Sequence, residues 1–392
     1  MNPNRIVLAA GGTGGHIYPA LSLAKILIDR GHEILILTDL RGINFDIESP
    51  LWEVRYVQAA NPSRPGFFSK CNAVAKLFLG FLSARKALKT FNPDVVIGFG
   101  GYPSLAPIMA AFFEKIPVVL HEQNAVLGRA NRLLARKAKA IAKSFDKTIG
   151  VGFYKRKLAT TGNPVREEII RVRSTPVPVI KLTEPICILV LGGSLGARIL
   201  SDVVPHAISL LPKQLKQRIK VNQQCRLEDI ERVRCSYDEN NLSAEIKTFF
   251  DNVPSLLQNS HIVISRSGAS TIAELAIAGR PSILIPYRFA MDNHQYENAM
   301  ALSLAGAAWC IEESTLTPEI LAKRLELILE DNQIHAEAAG AAHSFGIPDA
   351  AERLADLVEK LSSENPRSIF SSQDAISEND ETALFQRKAV SP

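Results

Sequence analysis

The chain has 392 residues and is 46% hydrophobic, 22% charged and 7% aromatic, with 23 glycines and 22 prolines. That composition suits a globular protein of several domains at about 150 residues each, and it excludes collagen-like, disordered and disulfide-scaffold classes. The net charge of +5 conceals an asymmetry: residues 1–165 hold 22 Lys and Arg against 10 Asp and Glu, and the remainder holds 23 against 30. A basic first half suggests an anionic partner (membrane surface, phosphorylated lipid or nucleic acid), although lysines on solvated helices give the same excess.

The five cysteines, Cys71, Cys187, Cys225, Cys235 and Cys310, are scattered without a CxxC pair. A zinc site or disulfide framework is therefore unsupported, and a reducing compartment fits. No basic-then-apolar leader opens the chain. No apolar run approaches about 18 residues, so no membrane-spanning helix is expected.

Residues 5–10 (RIVLAA) read as a buried strand, 11–16 as a glycine turn and 20–30 as a helix stopped by Gly31. Strands follow at 33–37, 94–97 and 117–120. The pattern restarts with a strand at 185–191, a second glycine turn at 192–198, strands at 262–265 and 281–286, and a helix at 271–278 between them. Strands alternating with helices imply parallel sheets covered on both faces, and the repeat implies two similarly built α/β domains. The boundaries expected are 1–165, 166–345, a closing helix within 346–361 and a disordered tail over 362–392. Prolines 176 and 178 make the link at 166–183 read as extended.

Four glycines in Gly11-Gly12-Thr13-Gly14-Gly15-His16 exceed what a strand–helix turn requires, and a ligand-binding edge explains the surplus. The spacing is not the GxGxxG of a dinucleotide fold, which disfavours a nicotinamide oxidoreductase. Residues 98–104 (GFGGYPS) add a second flexible ledge, and His121-Glu122-Gln123-Asn124 a polar cluster after a strand. Residues 192–198 (GGSLGAR) suit a diphosphate, and 265–274 (SRSGASTIAE) combine a helix start for phosphate with a carboxylate, Glu274, for ribose hydroxyls. No D-x-D triplet is present, so neither a metal nor another cofactor is expected, and a leaving diphosphate must be held by amides, helix ends and arginine. Residues 67–86 mix Phe and Leu with Lys and Arg, which reads either as a membrane-surface helix or as one facing the core. Aromatic residues are not interleaved as stacking platforms, so a nucleic-acid partner is not expected.

Seven segments in order, GGTGGH (11–16), GFGGYPS (98–104), HEQNAVLGRAN (121–131), TGNPVR (161–166), GGSLGAR (192–198), SRSGASTIAE (265–274) and DNHQYENA (292–299), together resemble the MurG family. The resemblance implies the GT-B architecture, two Rossmann-like domains facing across a cleft. It implies an inverting transfer of N-acetylglucosamine from UDP-N-acetylglucosamine to the C4 hydroxyl of the muramoyl sugar of lipid I, at the cytoplasmic face of the inner membrane, by a peripheral enzyme. Carried over by motif, Thr13, Gly14, Gly15, Asn124 and Arg166 approach the donor from the first domain. Ser194 meets the diphosphate, Phe250 meets uracil through its backbone, and Gln295 contacts the sugar. Ala269, Ser270, Thr271, Ile272, Ala273 and Glu274 hold phosphate and ribose. A general base is needed for the hydroxyl. His16 is the first choice, because it follows the glycine turn and imidazole titrates near neutrality, with Glu122 the alternative. The chain departs from the family pattern at Gln223-Gln224-Cys225-Arg226, where His-Gln-Thr/Ser-Gly is common. His294 stands where some members carry Gln.

Overall fold

In a computed structural model, residues 3–40, 48–59, 67–193 and 196–363 are described. The short runs of Val, Ile and Leu fold as strands whose side chains are buried on both faces, as parallel sheets require. The first sheet comprises β1 (Arg5–Ala9), β2 (Glu33–Thr38), β3 (Glu53–Tyr56), β4 (Val95–Gly98), β5 (Val118–Glu122), β6 (Ala140–Lys143) and β7 (Leu158–Thr160). The second comprises β8 (Ile186–Leu191), β9 (Ile219–Gln224), β10 (Ser243–Lys247), β11 (Ile262–Ser265), β12 (Ser282–Leu284) and β13 (Ala308–Cys310). Their orders are β3-β2-β1-β4-β5-β6-β7 and β10-β9-β8-β11-β12-β13.

Both sheets are parallel throughout, and each reverses its winding beside its first strand. Val7 of β1 lies between Leu35 of β2 and Val96 of β4, and Leu189 of β8 lies between Asn222 of β9 and Val263 of β11. At such switch points the loops leaving the carboxyl ends diverge and open a crevice. The switch points place residues 10–16 beside 99–101 in one lobe, and 192–197 beside 266–274 in the other.

Several elements differ from the sequence reading. The first helix, Gly14–Asp29, begins inside the glycine turn rather than at residue 20 and carries Pro19. β5 extends through His121 and Glu122, so the polar cluster begins inside a buried strand. The link is not wholly extended, because Glu167–Val172 is helical, with Glu167 and Glu168 in its first turn and Arg171 near its end, matching the helix dipole. The last helix, Ala350–Ser363, includes two residues expected in the tail; residues from 364 onward lie outside the described part.

That last helix leaves the second lobe and packs on the first. Leu354, Ala355 and Val358 share a core cluster with Leu23, Leu27 and Ile97. Arg30 contacts Asp356 at 2.7 Å and Glu359 at 2.8 Å, and buried His32 meets Glu359 at 2.8 Å. The lobes also share a core, in which Ala125, Phe145 and Val165 pack with Ile272, Leu275 and Ala276. Among the described residues no helix is long and apolar enough to cross a membrane.

Candidate active site between the lobes

On the first lobe, β1 runs into the glycine turn and His16 falls in the opening turn of the helix that follows. Its ring lies against the loop after β4. A Cβ added to Gly101 (φ +72) would sit 3.3 Å from His16 Cδ2 and Nε2, so glycine there answers both a left-handed backbone and a close approach. Burial holds the His16 pKa below its ordinary value, and His294 across the cleft adds to the effect. Gln123 and the Phe99 carbonyl oppose it. Even so, His16 Nδ1 is buried with no hydrogen bond of normal geometry among the described residues. The imidazole is therefore neutral at neutral pH and able to accept a proton.

Behind it lies a polar relay. The Gln123 amide donates to the Phe99 carbonyl (2.8 Å) and to His121 Nδ1 (3.1 Å). His121 Nε2 must then carry the ring proton, which it donates to the Gly162 carbonyl at 3.0 Å. His121 is fully buried, and burial pushes its pKa down to about 4.

Glu122 is arranged differently. One oxygen accepts from the Asn124 backbone N–H (3.0 Å) and side-chain amide (3.3 Å), the other from the Gly128 N–H (2.9 Å) and the Asn131 amide (2.8 Å). Burial raises its pKa and these four donors oppose the rise. The carboxylate is 2% exposed and its bonds organise the loop after β5, which leaves it poorly placed to take a proton from a substrate.

On the second lobe, β11 ends at Ser265, and the helix Ala269–Ala278 starts from Gly268, which has no side chain to cap it. Thr13 likewise makes no side-chain cap bond to the helix it precedes. The opening N–H groups of both helices therefore remain available to an anion. The two starts meet. Pro19 has no N–H to offer the Gly15 carbonyl one turn back, and that carbonyl instead accepts from Ser270 Oγ of the other lobe at 3.4 Å.

Three further contacts span the cleft. Arg166, stacked 4.9 Å over the Tyr18 ring, donates to Glu274 at 3.0 Å. Burial raises the Glu274 pKa, against the pull of Arg166. Buried Asn298 accepts from the Ala125 N–H (2.8 Å) and donates to Asn124 (3.1 Å) and to the Ser267 carbonyl (3.1 Å). Arg129 Nη2 reaches Asp292 at 2.9 Å, with Arg132 at 3.9 Å.

The cleft thus brings together His16, Gly15, Asn124, Arg166, Ser270 and Glu274, with Thr13, Gly14 and the rest of the 269–274 segment on the two helix starts. Gln295 braces the wall: its side chain accepts from the Tyr287 N–H (2.9 Å), and its carbonyl accepts from Ser267 Oγ (2.7 Å). Phe250 is buried beyond β10, three strands from β11, with Lys247 5.6 Å over its ring. Ser194 lies outside the described residues. Sequence reasoning did not single out Asn298 or the Arg129–Asp292 pair. An amide at the fully buried position of helix His294–Leu304 was the available signal for Asn298. Among the described residues no group of three or more His, Cys, Asp and Glu side chains is placed to hold a metal ion.

Two Rossmann-like lobes with uncapped helix starts facing one another across a cleft define a GT-B glycosyltransferase. Residues 6–143 match the glycosyltransferase family 28 N-terminal domain, and residues 187–354 match its C-terminal domain. A curated relative from Zymomonas mobilis, named UDP-N-acetylglucosamine--N-acetylmuramyl-(pentapeptide) pyrophosphoryl-undecaprenol N-acetylglucosamine transferase, is 44% identical over 97% of this chain and 99% of its own. One of the same name from Paramagnetospirillum magneticum is 46% identical over 91% and 96%. The crystal structure of Acinetobacter baumannii MurG superposes with a TM-score of 0.74 at 29% identity, covering 91% of this chain and all of that one. A kitacinnamycin glycotransferase, at 15% identity and a TM-score of 0.70, shares the fold alone. The chain belongs to the MurG family within glycosyltransferase family 28.

Proposed function

We propose that this chain transfers N-acetylglucosamine from UDP-N-acetylglucosamine to the C4 hydroxyl of the muramoyl sugar of undecaprenyl-pyrophosphoryl-N-acetylmuramoyl-pentapeptide, with inversion at the anomeric carbon. The observation that carries this reading is the meeting of the helix starts at Gly14 and Ala269 beside a neutral, half-buried His16. The acceptor hydroxyl attacks C1 of the donor, the bond from C1 to the diphosphate oxygen breaks, and UDP departs from the opposite face. His16 takes the hydroxyl proton. The helix starts and Arg166 meet the charge developing on UDP, while Glu274, held by Arg166, receives the ribose hydroxyls. The names of the curated relatives support the substrates. The test is UDP release by the purified chain, with and without a lipid I analogue. Release dependent on the analogue is expected. Turnover of diacylglycerol with none of the analogue would refute the acceptor assignment.

Peripheral attachment to an anionic membrane belongs to the same reading. Helix Phe67–Phe91 is apolar on two sides: Ala84, Ala87 and Leu88 are buried, whereas Val74, Phe78, Leu79 and Leu82 are exposed. Met109 and Phe113 of the adjoining helix Gly101–Phe113 are also exposed, and Lys76, Lys86 and Lys89 flank the patch. Apolar contact plus roughly 1 kcal/mol per basic residue near anionic lipid suits reversible binding at the cytoplasmic face.

A further inference from the structure

We infer that Arg226 is an anion-holding residue of the second lobe, set against its glycine turn to receive a phosphate of a nucleoside diphosphate. The inference rests on the proposed use of that lobe for UDP-N-acetylglucosamine. β9 lies next to β8 and parallel to it, so Arg226, two residues past the end of β9, stands at the sheet edge from which the 192–197 turn departs. The contact is direct. A Cβ added to Gly196 (φ +68) would lie 2.8 Å from Arg226 Cγ and 3.4 Å from Arg226 N. The turn is closed by the Gly196 N–H on the Gly193 carbonyl at 3.0 Å, and helix Arg198–Ser209 begins immediately after it without a side-chain cap.

The hydrogen bonding of the guanidinium separates it from the structural arginines of the same lobe. Arg266 donates to the Ile285 and Pro286 carbonyls (both 3.2 Å) and to Glu313 (2.8 Å). Arg280 donates to the carbonyls of Leu257 (2.6 Å), Gln258 (3.1 Å) and Thr175 (3.4 Å). Arg226 has a long ion pair with Glu228 (3.8 Å), and its Nε is buried without a hydrogen-bond partner among the described residues. Its backbone, by contrast, is firmly placed. Tyr237 donates to buried Gln223 at 2.5 Å, Cys225 is buried, and Asp229 pairs with Arg232 at 2.6 Å. A rigidly seated cation with unused donors beside backbone amides is suited to bidentate recognition of phosphate, and Glu228 is a carboxylate that phosphate can displace.

The experiment is calorimetric titration of the full chain and of Arg226→Ala, Arg226→Gly and Arg226→Lys with UDP, UMP and uridine, alongside steady-state kinetics and thermal melts. Removing a charge-assisted contact should weaken UDP about 10- to 100-fold in the Ala and Gly variants, with partial recovery in Lys and uridine binding unchanged. KM for the sugar nucleotide should rise more than kcat falls. Equal losses for UDP and uridine, or a lowered melting temperature with UDP affinity intact, would show a purely structural residue and overturn the inference. Absence of UDP binding by the unaltered chain would overturn the parent reading, and this inference with it.

Discussion

The two lobes share one backbone plan and carry different electrostatics. In the first, the groups at the switch point are imidazoles kept neutral by burial: His16 is lowered, and His121 is held at about 4 behind it. In the second, Arg226 and Glu274 face the same crevice from a sheet edge and a helix start. The comparison teaches that the fold supplies amides on both sides, while desolvation decides what each side can do. A dry wall produces a proton acceptor, and a wetter one retains charge for holding an anion.

The largest effect expected from breaking this contrast is at His16. His16→Ala should lower kcat by about 10²- to 10⁴-fold with UDP affinity retained. In the unaltered enzyme the acid limb of the pH–rate profile should fall below the ordinary histidine value, because the base works unprotonated and its pKa is lowered. A variant with near-normal turnover and the same limb would remove His16 from the chemistry. Next comes Leu354→Ala in the returning helix, where a fully buried leucine is lost. A destabilisation of about 2–5 kcal/mol is expected, read as earlier melting of the first lobe while the second keeps its midpoint. Equal shifts in both lobes would show that the helix serves them jointly.

Acid should act selectively as well. His121 binds a proton near pH 6.5 when unfolded and only near pH 4 when folded, so the unfolded chain gains protons first as pH falls. Stability present above pH 6.5 should decline between those values by on the order of 3 kcal/mol, and His121→Gln should flatten that slope in denaturant titrations. The smallest effect is expected at the latch between the lobes. Asp292 is bound to the exposed Arg129, and Asp292→Asn should change KM by no more than about threefold, with the difference vanishing in high salt.

Much of this was legible in the sequence, because apolar runs and glycine turns are local signals. β1, β2, β4, β8 and β11 are continuous Val, Ile and Leu stretches and declare themselves. β10 (SAEIK) and β7 (LAT) do not, since they lie at sheet edges where short and polar strands suffice. The first helix was read as starting late, because glycines and Pro19 are poor helix formers; their placement serves the cleft rather than the helix. His16 was visible from its position after the turn. The saturation of Glu122 was not, because Gly128 and Asn131 approach it only once the loop has folded back. Asn298 and Asp292 gain their partners only when lobes separated by over 160 positions in the chain meet.

The returning helix Ala350–Ser363 has an implication for biosynthesis. The first half of the polypeptide leaves the ribosome with Leu23, Leu27 and Ile97 uncovered on one side, and their cover is translated only after the entire second half. That half must therefore wait, partly greasy, for the last stretch of message. Premature termination shortly before codon 350 would strand a nearly full-length product whose earliest-made part is the one left unfinished, a natural substrate for chaperones and proteases.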